Sequence, residues 1–431
     1  MTGWRRGAWI SFAVLGIGTV VTVALTTPWH PLGRAVPHPV APDPVRDFTP
    51  AQIDRAESLS HALNGPSYGS LAVSLGVTVA LGCTPLGARL FQKMTAHLPA
   101  WPLRVAVAGL ALTVISTLVT LPFAAWSHVV LRRYGLTVQG WPGWLSDQGI
   151  GFGVSAVATM GVLILAFRLV RGLPRAWYAP AAIAAFVLVV LVSYGYPLVY
   201  EPLYNNFTPM KSGALRTELL GLARRDGVPV RDVLVADASK RTTSVNAYVS
   251  GFGGTRRIVV YDTLLKTTPP AQIRLIVAHE LGHAKRGDVL YGTLIGALSA
   301  STGVCLLYLV VTSPAVRRRV GIGEAPLADA RGVAFVTAIV TIGTLLASPA
   351  QNLVSRQIEA RADAHALNLT ADPATFARMQ RDLAVHNLSD PTPDAFDYVM
   401  YATHPTGPQR IAMARDWSHL HNRPAPPNLA P

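Results

Sequence analysis

Charge is what this chain has least of. Only 14% of its 431 residues are Asp, Glu, Lys or Arg, where a soluble domain carries about a quarter. With 50% of the residues hydrophobic, an ordinary soluble fold is excluded and a membrane protein is indicated. Cysteine is nearly absent. Cys83 and Cys305 both fall in apolar stretches, too few for a disulfide framework and without the spacing of a metal site, so they read as small core hydrophobes. Acidic residues are few as well, 23 against 37 Lys and Arg, for a formal net charge of +14. The excess base is scattered through short loops beside apolar runs. It therefore reads as membrane-flanking charge, and no nucleic-acid partner is expected.

What is abundant is uninterrupted apolar sequence. Nearly charge-free runs occupy Ala8 to Thr26, Leu71 to Ala88, Val105 to Trp126, Gly149 to Phe167, Ala179 to Tyr200, Val289 to Thr312 and Val333 to Val354, each close to the ~20 residues that cross the hydrocarbon core. The expectation is a mainly α, polytopic protein of the cell membrane with about seven transmembrane helices in the lipid bilayer. Arg5 and Arg6 before the first run suit an anchor better than a cleaved signal, because Ala24-Leu25-Thr26 offers no small-x-small cleavage site. Two regions are expected: 1–200, a membrane region with about five spans, and 201–431, a more polar domain that includes about two more. Between them, Pro28 to Pro50 reads as an extended loop, and Thr49-Pro50 opens a helix over Ala51 to Leu63 that lies on the membrane surface or covers a cavity mouth. In the polar insert, a helix over Ser212 to Arg225 precedes three strand-like runs: Val230 to Ala236, Val245 to Ser250 and Arg257 to Tyr261. Gly251, Gly253 and Gly254 join the last two. So small a sheet leaves an edge on which an extended peptide can add as a further strand.

The chemistry is carried by His279-Glu280-Leu281-Gly282-His283. On a helix, His279 and His283 share one face and can ligate a single Zn2+, with Glu280 beside the water that completes the coordination. The zinc lowers the pKa of that water toward ~7, and Glu280 takes its proton as the hydroxide attacks a peptide carbonyl. A third ligand is required. Asn352, Arg356, Glu359 and Asp363 follow the last apolar run at helical spacing and share one face. Of these Glu359 is the ligand candidate, and Asp363, one turn on, is placed to accept from the free N–H of a ligating imidazole. Arg356 is placed to hold a substrate carbonyl or an oxyanion, and His365, on another face, is expected not to ligate.

Together these residues resemble the type I CAAX prenyl protease family of integral-membrane zinc endopeptidases. The resemblance continues through Asn246-Ala247-Tyr248, Gly251-Phe252, Arg257 to Leu265, His404-Pro405 and Arg410-Ile411, and through Arg133-Tyr134-Gly135-Leu136 with Trp144 and Asp147. It implies seven helices around a chamber, with a small β-sheet in a gluzincin-type zinc protease domain and one Zn2+ per chain. In that family's terms His279, His283 and Glu359 are the ligands, and Glu280 and Asp363 the catalytic acidic residues. Asn246, Asn352, Arg356, His404 and Arg410 face the substrate, a membrane-associated or lipid-modified (CAAX-like) protein or peptide. Where the family often carries acidic residues before its Tyr-Gly-Leu, this chain has Arg132 and Arg133. Other readings are a quality-control protease of membrane proteins, and a binding or transport protein with an inactive site; the intact His279, Glu280, His283 and Glu359 argue against the latter.

Seven spans also divide the short loops into two sets. The amino-terminal side carries 12 basic residues between Arg5 and Arg331, and the other side carries 5 (Arg34, Arg46, Arg55, Arg132 and Arg133). Because basic loops stay in the cytoplasm, the protease insert is expected outside it.

Overall fold

The computed structural model describes residues 3–251 and 253–430; Phe252, one of the residues that carry the family resemblance, lies outside them. Among the described residues six helices are long and apolar enough to cross a membrane, or seven if one bent pair is a single span. In chain order the helices of this region are α1 (Gly3–Thr26), α2 (Pro50–Gly82), α3 (Pro85–Thr95), α4 (Trp101–Arg133), α5 (Trp141–Gly172) and α6 (Tyr178–Val199). The chain is thus a multi-pass membrane protein. Its first helix packs lengthwise on a later span, with Ala8 fully buried.

Two expectations at α2 need correction. The apolar run over Leu71 to Ala88 does not form one straight helix: α2 stops at Gly82, Thr84 caps α3, and the two helices are bent by 71°. The cause is Pro85, which donates no N–H and bars its predecessor from helical conformation. Gly87 makes the reversal possible, since a Cβ there would lie 2.2 Å from the Leu81 carbonyl. The helix expected over Ala51 to Leu63 is not separate either. Thr49 and Gln52 form a capping box around Pro50, and the helix they start continues into the membrane as α2.

The second half begins with a sheet of β1 (Phe207–Pro209), β2 (Asp232–Ala236), β3 (Ala247–Ser250) and β4 (Arg257–Tyr261), in the order β1-β2-β4-β3. β2 runs parallel to β4, and the other pairs are antiparallel. The first strand, three residues long and ending in proline, has no alternation that sequence reading could have caught. Between β1 and β2, α7 (Ala214–Asp226) ends at Gly227 in the left-handed region, φ 74. Next comes α8 (Pro270–Arg286), which carries the paired histidines. Its Ile273, Ile276, Val277 and Leu281 pack among Val233, Ile258 and Val260 of the sheet and Leu219 and Leu222 of α7. Leu281 is fully buried, so its truncation to Ala costs about 2–5 kcal/mol.

Gly287, at φ 70, ends α8, and the next residue, Asp288, already opens the membrane span α9 (Asp288–Val311). Only glycine takes that conformation cheaply, so the histidine helix is hinged directly to a span. The 41-residue α10 (Ala330–Thr370) runs about 60 Å, from the far membrane face into the protease half. There α11 (Pro373–His386), α12 (Ala395–Tyr401) and α13 (Gly407–Leu420) complete the structure. The loop between α1 and α2 is not extended throughout, since Pro44–Asp47 form one helical turn capped by Asp43, and it is pinned: Val40 N–H donates to Asp416, and Asp47 forms a buried ion pair with Arg415. Following the chain through the spans puts this loop, residues 134–140 and the protease half on one membrane face. The amino terminus and residues 83–100, 173–177 and 312–329 lie on the other.

Candidate metal centre

The helical rise of α8 sets His279 Nε2 and His283 Nε2 3.1 Å apart. Glu359, from α10 beyond the apolar part of that helix, brings its carboxylate 3.2 Å from His279 Nε2 and 3.5 Å from His283 Nε2. Among the described residues this is the one group of three or more His, Cys, Asp or Glu side chains able to hold a metal ion.

Behind each imidazole stands a carboxylate. His279 Nδ1 lies 2.8 Å from Asp363 Oδ1, and His283 Nδ1 lies 2.8 Å from Asp288 Oδ2. Each carboxylate accepts a hydrogen bond from Nδ1–H and leaves the Nε2 lone pair pointing inward. Two lone pairs and a carboxylate facing one another require a cation. The donor set therefore fits a metal: ligands about 2.1 Å from a tetrahedral zinc stand about 3.4 Å from one another, against the 3.1, 3.2 and 3.5 Å found. Glu359 Oε2, buried and without a hydrogen bond among the described residues, points the same way. With no metal only a proton can sit there. Burial pushes His279 down, but Asp363 and Glu359 outweigh it and raise its pKa to about 10. For Glu359 burial is outweighed by His279, His283 and His404, which hold it far below the usual carboxylate range. Binding a metal must displace that proton, so affinity falls as pH falls.

Each carboxylate in turn has an arginine. Arg410 grips Asp363 with both Nε and a terminal nitrogen, and Arg361 pairs with Asp288. Asp288 and Arg361 were not anticipated; the one signal was an Asp directly after the glycine that ends the motif helix. Asp288→Asn should weaken metal binding by about 10–100-fold, measured by competition with a chelator. Unchanged affinity would show that His283 is oriented without it.

The remaining expectations divide. Glu280, His279, Glu359, Asn246, His404 and Arg410 line one cleft of about 490 Å³. His404 Nε2 lies 3.3 Å from Glu359 Oε2. Three further candidates do not line this cleft. Asp363, fully buried, touches His279 and Arg410. Asn352 Nδ2 donates to the carbonyls of Val399 and Met400, and Arg356 donates to those of Tyr398 and Ala402. Both side chains are spent on the end of α12, which stops three residues before His404, because this helix leaves its last carbonyls without internal partners. They brace the segment that presents His404. His365, as expected, is no ligand: its Nε2 lies 2.9 Å from Asp226 and its ring packs on Gly282.

Comparison with known proteins matches residues 209–418 to peptidase family M48 and 52–206 to the CAAX prenyl protease N-terminal region of five membrane helices. The chain is 31% identical over 307 residues to CAAX prenyl protease 1 homolog of Oryza sativa subsp. japonica, covering 70% of this chain and 71% of that protein. It is 27% identical over 378 residues to the uncharacterized metalloprotease YhfN of Bacillus subtilis, covering 86% and 87%. The crystal structure of S. mikatae Ste24p has the same fold, with a TM-score of 0.74 at 22% identity over 96% of this chain and 99% of that one.

Proposed function

Because this chain belongs to the CAAX prenyl protease family within peptidase family M48 and is therefore a membrane metalloprotease, we propose that its metal is zinc, held by His279, His283 and Glu359. When bound, the zinc supplies a Lewis acid that brings a coordinated water toward pKa ~7. Glu280 takes that water's proton and passes it to the leaving amine. Burial raises Glu280 above the usual carboxylate range, with the two histidines opposing, which brings a general base nearer neutrality. His404, at the cleft wall, donates toward the carbonyl oxygen as charge develops on it. The observation that carries this reading is the convergence of two imidazole nitrogens and an unsatisfied buried carboxylate oxygen on one point.

The substrate is read as an extended chain added to β3, the edge strand nearest the cleft. Tyr261 N–H donates to the Asn246 carbonyl, so in the β3–β4 register Asn246, Tyr248 and Ser250 turn their backbone groups toward β4. Ala247 and Val249 turn theirs outward. The Ala247 N–H is occupied by Asn246 Oδ1, a contact a substrate carbonyl can replace. Val249→Pro should then raise KM severalfold on a long peptide, with metal content unchanged. Equal KM would remove strand addition from the account.

The distribution of basic residues supports a site away from the cytoplasm. The loops that share a face with the amino terminus carry the larger set of Arg and Lys, and that face is the cytoplasmic one by the charge rule. The substrates are then extracytoplasmic membrane-associated proteins. Alkaline phosphatase fused after Pro431 should be active; a fluorescent cytoplasmic fusion with no phosphatase activity would reverse the orientation.

A further inference from the structure

On the membrane face opposite the metal site, a cavity of about 450 Å³ opens where α5 ends, α6 begins and the 312–328 segment closes over them. Arg171 and Arg317 both line it, with Trp177 and Leu327 among its apolar walls. Arg317 donates to the carbonyls of Gly323 and Ala325, and Arg171 to that of Ala328, while its guanidinium also lies 5.1 Å over the Trp101 ring. All of these partners are neutral. Glu324 also lines the cavity, but it is exposed, and among the described residues neither guanidinium is in an ion pair. Burial alone pushes Arg317 below the ordinary arginine range, as expected of a desolvated cation with no counter-charge.

Two guanidinium forks facing one cavity, neither of them ion-paired with its single carboxylate Glu324, match a phosphate diester, which each can engage through paired N–H groups. The position adds the rest: the cavity lies at the ends of membrane spans, beside exposed Leu173 and Pro174, and basic pockets between spans are where anionic headgroups settle. We propose that this cavity binds the headgroup phosphate of an anionic phospholipid, with Arg171 and Arg317 as its donors and the acyl chains lying outward along α6. The contact ties the lipid to the end of α9, the span whose other end begins at Asp288.

The test is native mass spectrometry of the purified full chain after incubation with phosphatidylglycerol or with phosphatidylcholine. The wild type should retain phosphatidylglycerol in preference. Arg171→Gln and Arg317→Gln should each weaken retention about fivefold to tenfold, and Arg318→Gln with Arg319→Gln, exposed on the neighbouring turn, should leave it unchanged. Because Arg317 also braces its own loop, Arg171→Gln and the charge-keeping Arg317→Lys distinguish lost binding from lost structure. Equal retention of the two lipids, or retention unaffected by Arg171→Gln, would overturn the proposal. So would displacement of the lipid by millimolar inorganic phosphate, which would make this a site for free phosphate.

Discussion

Glu280→Gln is expected to keep its metal and lose peptide cleavage by about 100- to 10,000-fold, the range of a general base. Glutamine preserves shape and removes the only property the reading assigns to this side chain, its capacity to accept a proton. The residue follows His279 on α8 and lines the same cleft, so the loss should appear in kcat, with metal content equal to wild type. Near wild-type turnover would require a different base.

Glu359→Ala is expected to lose metal affinity by more than the roughly 10–100-fold typical of outer partners, because it removes a ligand outright. It also removes the anion that faces both Nε2 atoms, leaving two imidazoles 3.1 Å apart with no anionic ligand to complete the set. His365→Ala is the control. It breaks the contact with Asp226 and lowers stability, but metal content at equal folded protein should not change. Equal metal loss in both variants would mean that the ligand set is wrong.

The candidate metal ligands are legible because their signals are local. His279 and His283 lie four residues apart on one helix, as do Glu359 and Asp363 on another, and helical spacing alone puts each pair on one face. What brings the two helices together is a fact of packing and left no local trace. The same holds for Asp288, which is five residues from His283 and reaches it only because Gly287 turns the chain. Arg356 shows the converse. Its spacing suggests a residue of the active site, yet its guanidinium donates to the carbonyls of Tyr398 and Ala402 at the end of α12. Most spans were legible from apolar length, and the exception, the break at Pro85, follows from a residue visible in the sequence whose effect depends on α10 being there to receive α3.

The account rests most directly on the metal content of the purified chain. It predicts one zinc per molecule in the wild type, retained in Glu280→Gln and lost in His279→Ala, His283→Ala and Glu359→Ala, with cleavage restored when zinc is returned to chelated wild-type protein. A wild-type chain that holds no zinc, or one whose zinc survives all three ligand substitutions, would contradict it.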